Sequence, residues 1–358
     1  MRRIIGIVLA VLLIGGVGAA VVKGREQDTS TAPKTVRGVI GSEKAEFFAD
    51  PDVVKALAAQ GFTVKTETAG SWAMEELNLK GYDFAFPSSK APADALAEKY
   101  RARQPLPRPF YSPLVVVAHR AAASVLAENG LATLDKDGGR GTLKTAEYLK
   151  AAEQDRTWQR LKGAERHAEL TGTLYITSAD PLSSNSGALY LAAASYVAAG
   201  GRVAANSADI DRTAPLMQKL IRVQGAQQAS SDAPFRDFIS GAGNPLVLVY
   251  EQQVASLLVQ KQQVDDLTVL YPDTTTTSDH TVVPLSDNGR ALGELLSSDP
   301  TLRKLAVRHG FRPQGDAHEF TAATAAHTQY LNQKLTGVRQ APVPASAVLH
   351  EMAQRARG

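Results

Sequence analysis

The sequence contains no cysteine among its 358 residues. This absence excludes disulfide bonds, thiolate zinc sites, cysteine nucleophiles, iron–sulfur clusters and an anchor attached through a lipid-modified cysteine. An excess of one charge is also lacking, since 39 basic and 36 acidic residues leave a net charge of +3. Arg2, Arg3 and Lys23 are the only charged residues up to position 24, so the remainder is net neutral. We therefore expect no nucleic-acid partner.

Common catalytic motifs are absent as well. The seven histidines include no His-x-x-x-His pair for zinc, and there is no Gly-x-Ser-x-Gly nucleophile elbow. Residues 138–141 (Gly-Gly-Arg-Gly) are too short for a phosphate-binding loop, and we interpret them as an ordinary loop. Asp279 and His280 have no nucleophile signature nearby and are interpreted as a turn. The sequence thus predicts no enzyme, no cofactor and no metal ion.

One long hydrophobic run is present, at the N-terminus. Residues 4–22 are apolar or glycine, and Arg2 and Arg3 precede them. A helix over these 19 residues covers roughly 28 Å, close to the thickness of a bilayer core. We predict that residues 1–24 form a single-pass membrane anchor with the bulk of the chain extracytoplasmic. The alternative is a cleaved signal peptide with its cleavage site near residues 18–20.

Residues 25–35 are small and polar and predict a flexible linker. Beyond them, apolar runs alternate with amphipathic segments. Asp50 and Pro51 predict the start of a helix and Gly61 predicts its end. Predicted strands cover residues 36–40, 62–68, 82–86, 114–118, 174–177, 246–250 and 267–270. Predicted helices cover residues 142–152, 186–199, 210–223, 252–260, 290–296, 301–309, 321–335 and 345–357. This alternation predicts an α/β fold with a parallel, helix-covered sheet.

Small polar turns follow several of these strands. A helix N-terminus carries unpaired N–H groups and partial positive charge, and small residues let a ligand approach it. Such turns collect at the carboxyl edge of a parallel sheet. The alternative is that these residues are ordinary helix caps. The predicted ligand-binding residues are Gly41, Ser42, Gly70, Ser71, Ser88, Ser184, Asn185 and Ser186.

Four other features carry a functional and a structural interpretation. Glu43 and Glu251 follow predicted strand ends, where a carboxylate would favour a cationic or hydrogen-bonding ligand, but a capping or surface role is favoured. Trp72 is more consistent with packing than with ligand stacking. The four threonines at residues 274–277 are interpreted as a solvated linker.

The order of these segments resembles that of the type II substrate-binding proteins of bacterial import systems. Residues 39–44 resemble the family's first strand and ligand-facing turn, residues 68–71 its second turn, and residues 83–89 its third strand. Residues 180–187 resemble the ligand turn of its second lobe, and residues 271–285 resemble the return crossing. The resemblance spans roughly residues 36–312.

The resemblance implies a two-lobed "Venus flytrap" fold with two hinge crossings. The first lobe would comprise residues 36–110 and 271–335, the second residues 111–270, and residues 336–358 would be a C-terminal tail. The implied function is capture of a small polar or anionic solute for an ABC importer. The alternative is an anchored interaction or sensory domain without a transport role.

The resemblance is greatest to a membrane-anchored subgroup that is sometimes joined to a von Willebrand factor A domain. The Asp-x-Ser-x-Ser metal motif of that domain is missing here, so this chain would be the binding domain alone. A separate protein with such a domain, or an ABC permease, is then the expected protein partner.

Overall fold

The computed structural model describes residues 34–262, 264, 266–315 and 317–358. The predicted anchor at residues 1–24 lies outside these residues, as does nearly all of the predicted linker. Among the residues that the structure describes, no helix is both long and apolar enough to cross a membrane.

The chain alternates strands and helices as the sequence predicts. The strands are β1 (Lys34–Ile40), β2 (Phe62–Thr68), β3 (Phe84–Phe86), β4 (Phe110–Ala118), β5 (Ala132–Leu134), β6 (Arg140–Leu143), β7 (Leu246–Tyr250), β8 (Thr268–Pro272), β9 (Thr274–Thr275), β10 (Thr277–His280), β11 (Val283–Pro284), β12 (Arg312–Pro313) and β13 (Arg339–Gln340). The helices are α1 (Ala45–Ala49), α2 (Pro51–Ala59), α3 (Lys90–Tyr100), α4 (Arg120–Glu128), α5 (Thr145–Glu153), α6 (Asn185–Ala198), α7 (Ser207–Arg222), α8 (Asp232–Ile239), α9 (Glu251–Val259), α10 (Asp287–Ser298), α11 (Pro300–Arg308), α12 (His318–Ala323) and α13 (Ser346–Arg357).

The first lobe is built on a sheet with strand order β11-β3-β1-β2. Strand β1 is parallel to β2 and β3, and β11 is antiparallel to β3. The predicted start of α2 is confirmed, because the Asp50 carboxylate accepts from the Asp52 N–H at 2.8 Å and Pro51 occupies the first turn. Gly61 has a φ of +79°, which a glycine adopts without strain, and leads into β2. Parallel strands therefore end at one edge of this lobe.

The second lobe is built on the distal half of β4. Residues 114–118 pair with β7 and β8 in antiparallel register, β6 runs parallel to β8, and β5 pairs with β6. Helix α6 crosses the lobe with small side chains, and every residue from Asn185 to Ser195 is buried. A helix that is apolar on all sides is stable only when it is enclosed. Its N-terminus is therefore held in a fixed position.

Strand β4 belongs to both lobes. Its residues 110–113 pair with β10 and its residues 114–118 pair with β7. The chain enters the second lobe along β4 and returns to the first along β9 and β10. The two lobes are thus joined by adjacent antiparallel strands, a geometry that allows bending without loss of either core.

Five local predictions are wrong. The strand expected at residues 174–177 does not form, and only an isolated bridge joins Thr177 to Val247. Arg140 and Gly141 lie in β6, where hairpin pairing with β5 replaces the expected loop. The threonines at 274–277 are not a solvated linker, because three of them are buried and the hydroxyls of Thr275 and Thr276 donate to carbonyl oxygens of β4 and α6. Asp279 and His280 continue β10 rather than forming a turn.

The fifth error concerns residues 321–335, which do not form one helix. Helix α12 ends at Ala323. The Arg312 guanidinium binds the carbonyl oxygens of Asn332 and Gln333 at 2.8 and 2.7 Å. An α-helix would use such carbonyls internally, so these contacts stabilise a turn instead.

Candidate interlobe site

The predicted turns of both lobes meet at a contact that we name the seam. It comprises residues 41–44, 70–72 and 87–89 of the first lobe, and residues 180–186 with Tyr250 of the second. The Trp72 N–H donates to the Ser183 carbonyl oxygen at 3.2 Å. A Cβ atom at Gly70 would lie 2.3 Å from that oxygen, so the two backbones approach more closely than any other residue would allow.

On the first lobe, the predicted residues form one hydrogen-bonded group. The Ser71 hydroxyl accepts from the Ser88 N–H at 2.9 Å and lies 3.1 Å from the Ser88 hydroxyl. A Cβ at Gly41 would lie 2.7 Å from the Ser88 hydroxyl and 2.6 Å from the Glu43 carboxylate. Ser42 lies beside the Asp232 carboxyl of the second lobe, whose pKa is raised by burial against the opposing effect of Ser42. All five predicted first-lobe residues therefore lie at the seam.

On the second lobe, the predicted residues form the first turn of α6. The hydroxyls of Ser184 and Ser186 lie 3.1 Å apart. The Asn185 amide donates to the Tyr250 hydroxyl at 3.0 Å, and its oxygen accepts from Ser89 of the first lobe. No acidic residue stands in this first turn and Ser184 makes no side-chain cap. The turn presents hydroxyl, amide and N–H groups to the opposite lobe.

Sequence reasoning missed a buried ionic cluster beneath the seam, formed by Glu43, Lys44 and His280. Their exposed fractions are 8%, 0% and 0%. The Lys44 ammonium donates to the Glu43 carboxylate and lies 3.2 Å from His280 Nδ1. The Ser88 hydroxyl donates to Glu43 at 2.6 Å, which joins the cluster to the predicted serines. We name these three residues the ionic cluster.

Burial determines the protonation of this cluster. Burial, reinforced by the charge of Lys44, lowers the pKa of His280 to about 4, so the ring is neutral at pH 7. Burial also lowers the pKa of Lys44, against the opposing effect of Glu43. For Glu43, burial alone would raise the pKa, but the charge of Lys44 and the hydrogen bond with His280 hold it well below its ordinary value. The cluster therefore contains one negative charge, one positive charge and a neutral ring.

Two further side chains differ from their expected roles. Glu251, a candidate for the cleft, is fully buried and accepts both arms of the Arg312 guanidinium, at 2.6 and 2.9 Å. Glu43, expected as a cap or surface residue, belongs to the seam. Trp72 is 5% exposed and packs among alanines, in agreement with a packing role. Across the described part of the chain, no group of three or more side chains has the composition of a metal site.

Comparison with known proteins gives a result at the level of the fold. No protein-family model matches the sequence, and no curated protein matches it. Among solved structures, a periplasmic thiamin binding protein matches with a TM-score of 0.59 and 14% identity, covering 94% of this chain and all of that one. The binding protein AfuA from Actinobacillus pleuropneumoniae matches with a TM-score of 0.57 and 12% identity, over 90% and 97% of the two chains.

The sulfate-binding protein SubI from Mycobacterium tuberculosis matches with a TM-score of 0.54 and 15% identity, covering 88% of this chain and 95% of that one. All three of these proteins are named as binding proteins, two of them periplasmic. The expected two-lobed α/β fold is confirmed. At these identities the likeness shows the fold alone, and the ligand must be argued from the seam.

Proposed function

We propose that this chain is an extracytoplasmic solute-binding protein that holds a small polar ligand between its lobes and delivers it to an ABC importer. The observation that carries the proposal is the meeting of the polar turns of both lobes, joined by Trp72 and Ser183. A ligand at this position touches both lobes, so its binding energy favours the closed arrangement over the open one. Delivery then requires only that the lobes separate.

The charges around the seam support a particular class of ligand. The α6 N-terminus favours an electron-rich group, such as a carbonyl or carboxylate. The ionic cluster has no net charge, and Asp232 of the second lobe adds an acidic group beside Ser42. A doubly charged anion would face the Asp232 carboxyl, while the charges of Glu43 and Lys44 compensate each other. Neutral hydrogen-bonding solutes and zwitterions fit this distribution better.

The decisive experiment is mass spectrometry of small molecules released from the purified full-length chain, followed by titration calorimetry with each compound recovered. Ser184→Leu should abolish binding of that compound while the domain stays folded, and the larger side chain at this buried position of the seam should lower the midpoint of thermal unfolding only in part. Ser298→Leu is the matched control, because Ser298 is exposed on α10. Equal affinity in both variants would place the ligand elsewhere.

A second candidate function is an interaction or sensory domain that has the fold without a transport role. The observation that favours it is that the polar groups of the seam bind each other, as Ser89, Asn185 and Tyr250 do. This candidate predicts that no solute is recovered and that a cell-envelope protein, such as one with a von Willebrand factor A domain, copurifies instead of a permease.

Residues 1–24 lie outside the described residues, and we propose that they anchor the protein in the membrane. The full-length protein should then sediment with membranes after lysis. Detergent should release it, and high salt should not, because a hydrophobic span does not depend on ionic contacts. A released protein whose N-terminus begins near residue 20 would instead identify a cleaved signal peptide.

A further inference from the structure

The C-terminal segment runs along the connection between the lobes before it ends in a helix. Strand β13 pairs with β9, and the Ala341 N–H donates to Thr275 at 2.7 Å. Helix α13 follows and docks on the second lobe. Arg355 forms an ion pair with Asp211 of α7 at 2.7 Å, and Met352 is buried in the second-lobe core.

Two side chains of this helix contact the other lobe as well. The ring of His350 lies 6.0 Å from that of Trp72, measured between centroids. Leu349 is fully buried in a cluster that contains Trp72 and Ala91 of the first lobe and Ala188 and Ala192 of the second. The alanines leave the space that a leucine fills, and Trp72 is the residue whose N–H crosses the seam. Leu349 therefore lies where the lobes meet and touches both of them.

We propose that α13 is a strap that holds the lobes closed over the seam, and that Leu349 does so by packing against both lobes. The helix is fixed to the second lobe by buried and ionic contacts, so separation of the lobes removes Leu349 from Trp72 and Ala91. That removal exposes apolar surface on both sides and opposes opening. The tail thus biases the equilibrium between open and closed forms before any ligand binds. This device is independent of what the seam holds.

The absence of cysteine makes the strap directly testable. Spin labels attached to Lys65→Cys on the first lobe and Lys150→Cys on the second, both exposed positions, report the distance between the lobes in the full-length chain without added ligand. Leu349→Ala should create a population with longer distances and raise the open-to-closed ratio about tenfold or more, since trimming a buried leucine removes many packed contacts. Met352→Ala is the matched control, because it trims an equally buried side chain of the same helix that packs on the second lobe alone.

Met352→Ala should lower the midpoint of thermal unfolding while keeping the parent distance distribution. A native probe gives a second readout. The chain has two tryptophans, so in a Trp158→Phe background the fluorescence of Trp72 should shift to longer wavelength in Leu349→Ala and not in Met352→Ala. If Leu349→Ala does not fold, Leu349→Val should show the same change to a smaller extent.

Two results would overturn the strap. Identical distances in the parent and the folded Leu349 variant would show that the contact does not restrain the lobes. Equal opening in the Leu349 and Met352 variants would show that α13 acts only as part of the second-lobe core. Neither readout uses a ligand, so the strap can fail while the solute-binding proposal stands, and the reverse also holds.

Discussion

The main-chain N–H of Trp72 donates to the carbonyl oxygen of Ser183 at 3.2 Å, so a backbone hydrogen bond joins the two lobes. Such a bond needs close approach of two main chains, and Gly70 provides it by having no side chain. Because backbone groups make this contact, truncation of either side chain to alanine leaves its donor and acceptor in place. Gly70, two residues before Trp72, is the position at which this contact can be tested.

Gly70→Ala should open the lobes. The new Cβ would lie 2.3 Å from the Ser183 oxygen in the closed form, and overpacking of this kind costs about 1–3 kcal/mol. Small-angle scattering should show a larger radius of gyration than that of the parent. Gly289→Ala is the control, because its clash is with Asp83 inside the first lobe. Gly289→Ala should lose stability without a change in interlobe distance. An unchanged radius of gyration in Gly70→Ala would contradict the closed contact between the lobes.

Glu43→Gln should destabilise the protein by about 3–5 kcal/mol in urea unfolding, because it leaves the Lys44 ammonium buried without a counter-charge. Adding Lys44→Met to that variant should restore most of the loss, since the unpaired charge is then gone. The control is Glu67→Gln, which breaks the exposed pair with Arg37 and should cost less than about 1 kcal/mol. Additive effects of the Glu43 and Lys44 changes would show that the pair is not coupled.

His280 should make the folded state less stable in mild acid. Its pKa is about 4 in the folded protein against an ordinary value of 6.5, so below about pH 6.5 the unfolded chain binds a proton that the folded chain does not. The free energy of unfolding should therefore fall between pH 6.5 and 4, by on the order of 3 kcal/mol, and this contribution should be flat above pH 7. His280→Gln should remove this part of the pH profile. His327→Gln, at a partly exposed position, should leave it unchanged.

Arg312→Lys should destabilise the protein, although it keeps the positive charge. The guanidinium binds both oxygens of Glu251 and two carbonyl oxygens at once, and a lysine ammonium cannot reproduce that planar fork. We expect a loss of about 2–4 kcal/mol in urea unfolding and faster amide exchange across residues 330–335. Arg308→Lys, at a half-exposed ion pair, should cost less than about 1 kcal/mol. Equal losses in the two variants would contradict the role of the fork.

Helices and strands are predicted well from the sequence where the local signals for their start, end and burial are all present. Strand β2 covers the predicted residues 62–68, because Gly61 marks its start and its side chains alternate in burial. Helix α2 carries its own cap at Asp50. Helices α3, α4 and α8 were missed, since their apolar positions are mixed with lysine, arginine or proline.

The first-lobe turns of the candidate site follow from a general property of parallel sheets, which is why Gly41, Ser71 and Ser88 could be placed together from the sequence. The ionic cluster could not be predicted in this way. Lys44 and His280 are 236 positions apart, and nothing near either residue indicates burial. Adjacent residues such as Glu43 and Lys44 do not ordinarily face each other on a helix. The contacts of Leu349 could not be predicted from the sequence either, because they depend on where the C-terminal helix α13 packs in the folded protein.

Strand β11 completes the first sheet by pairing Val283 with Ala85, two residues 198 positions apart. Strands β4 to β8 lie between them in sequence, so during synthesis the sheet of the second lobe can form before β11 exists, and α13 completes the core of that lobe only afterwards. Until then β3 keeps an unpaired edge, which is a site for association with other chains. High contact order of this kind slows folding, so the first lobe should set the refolding rate and be the part that depends on chaperones.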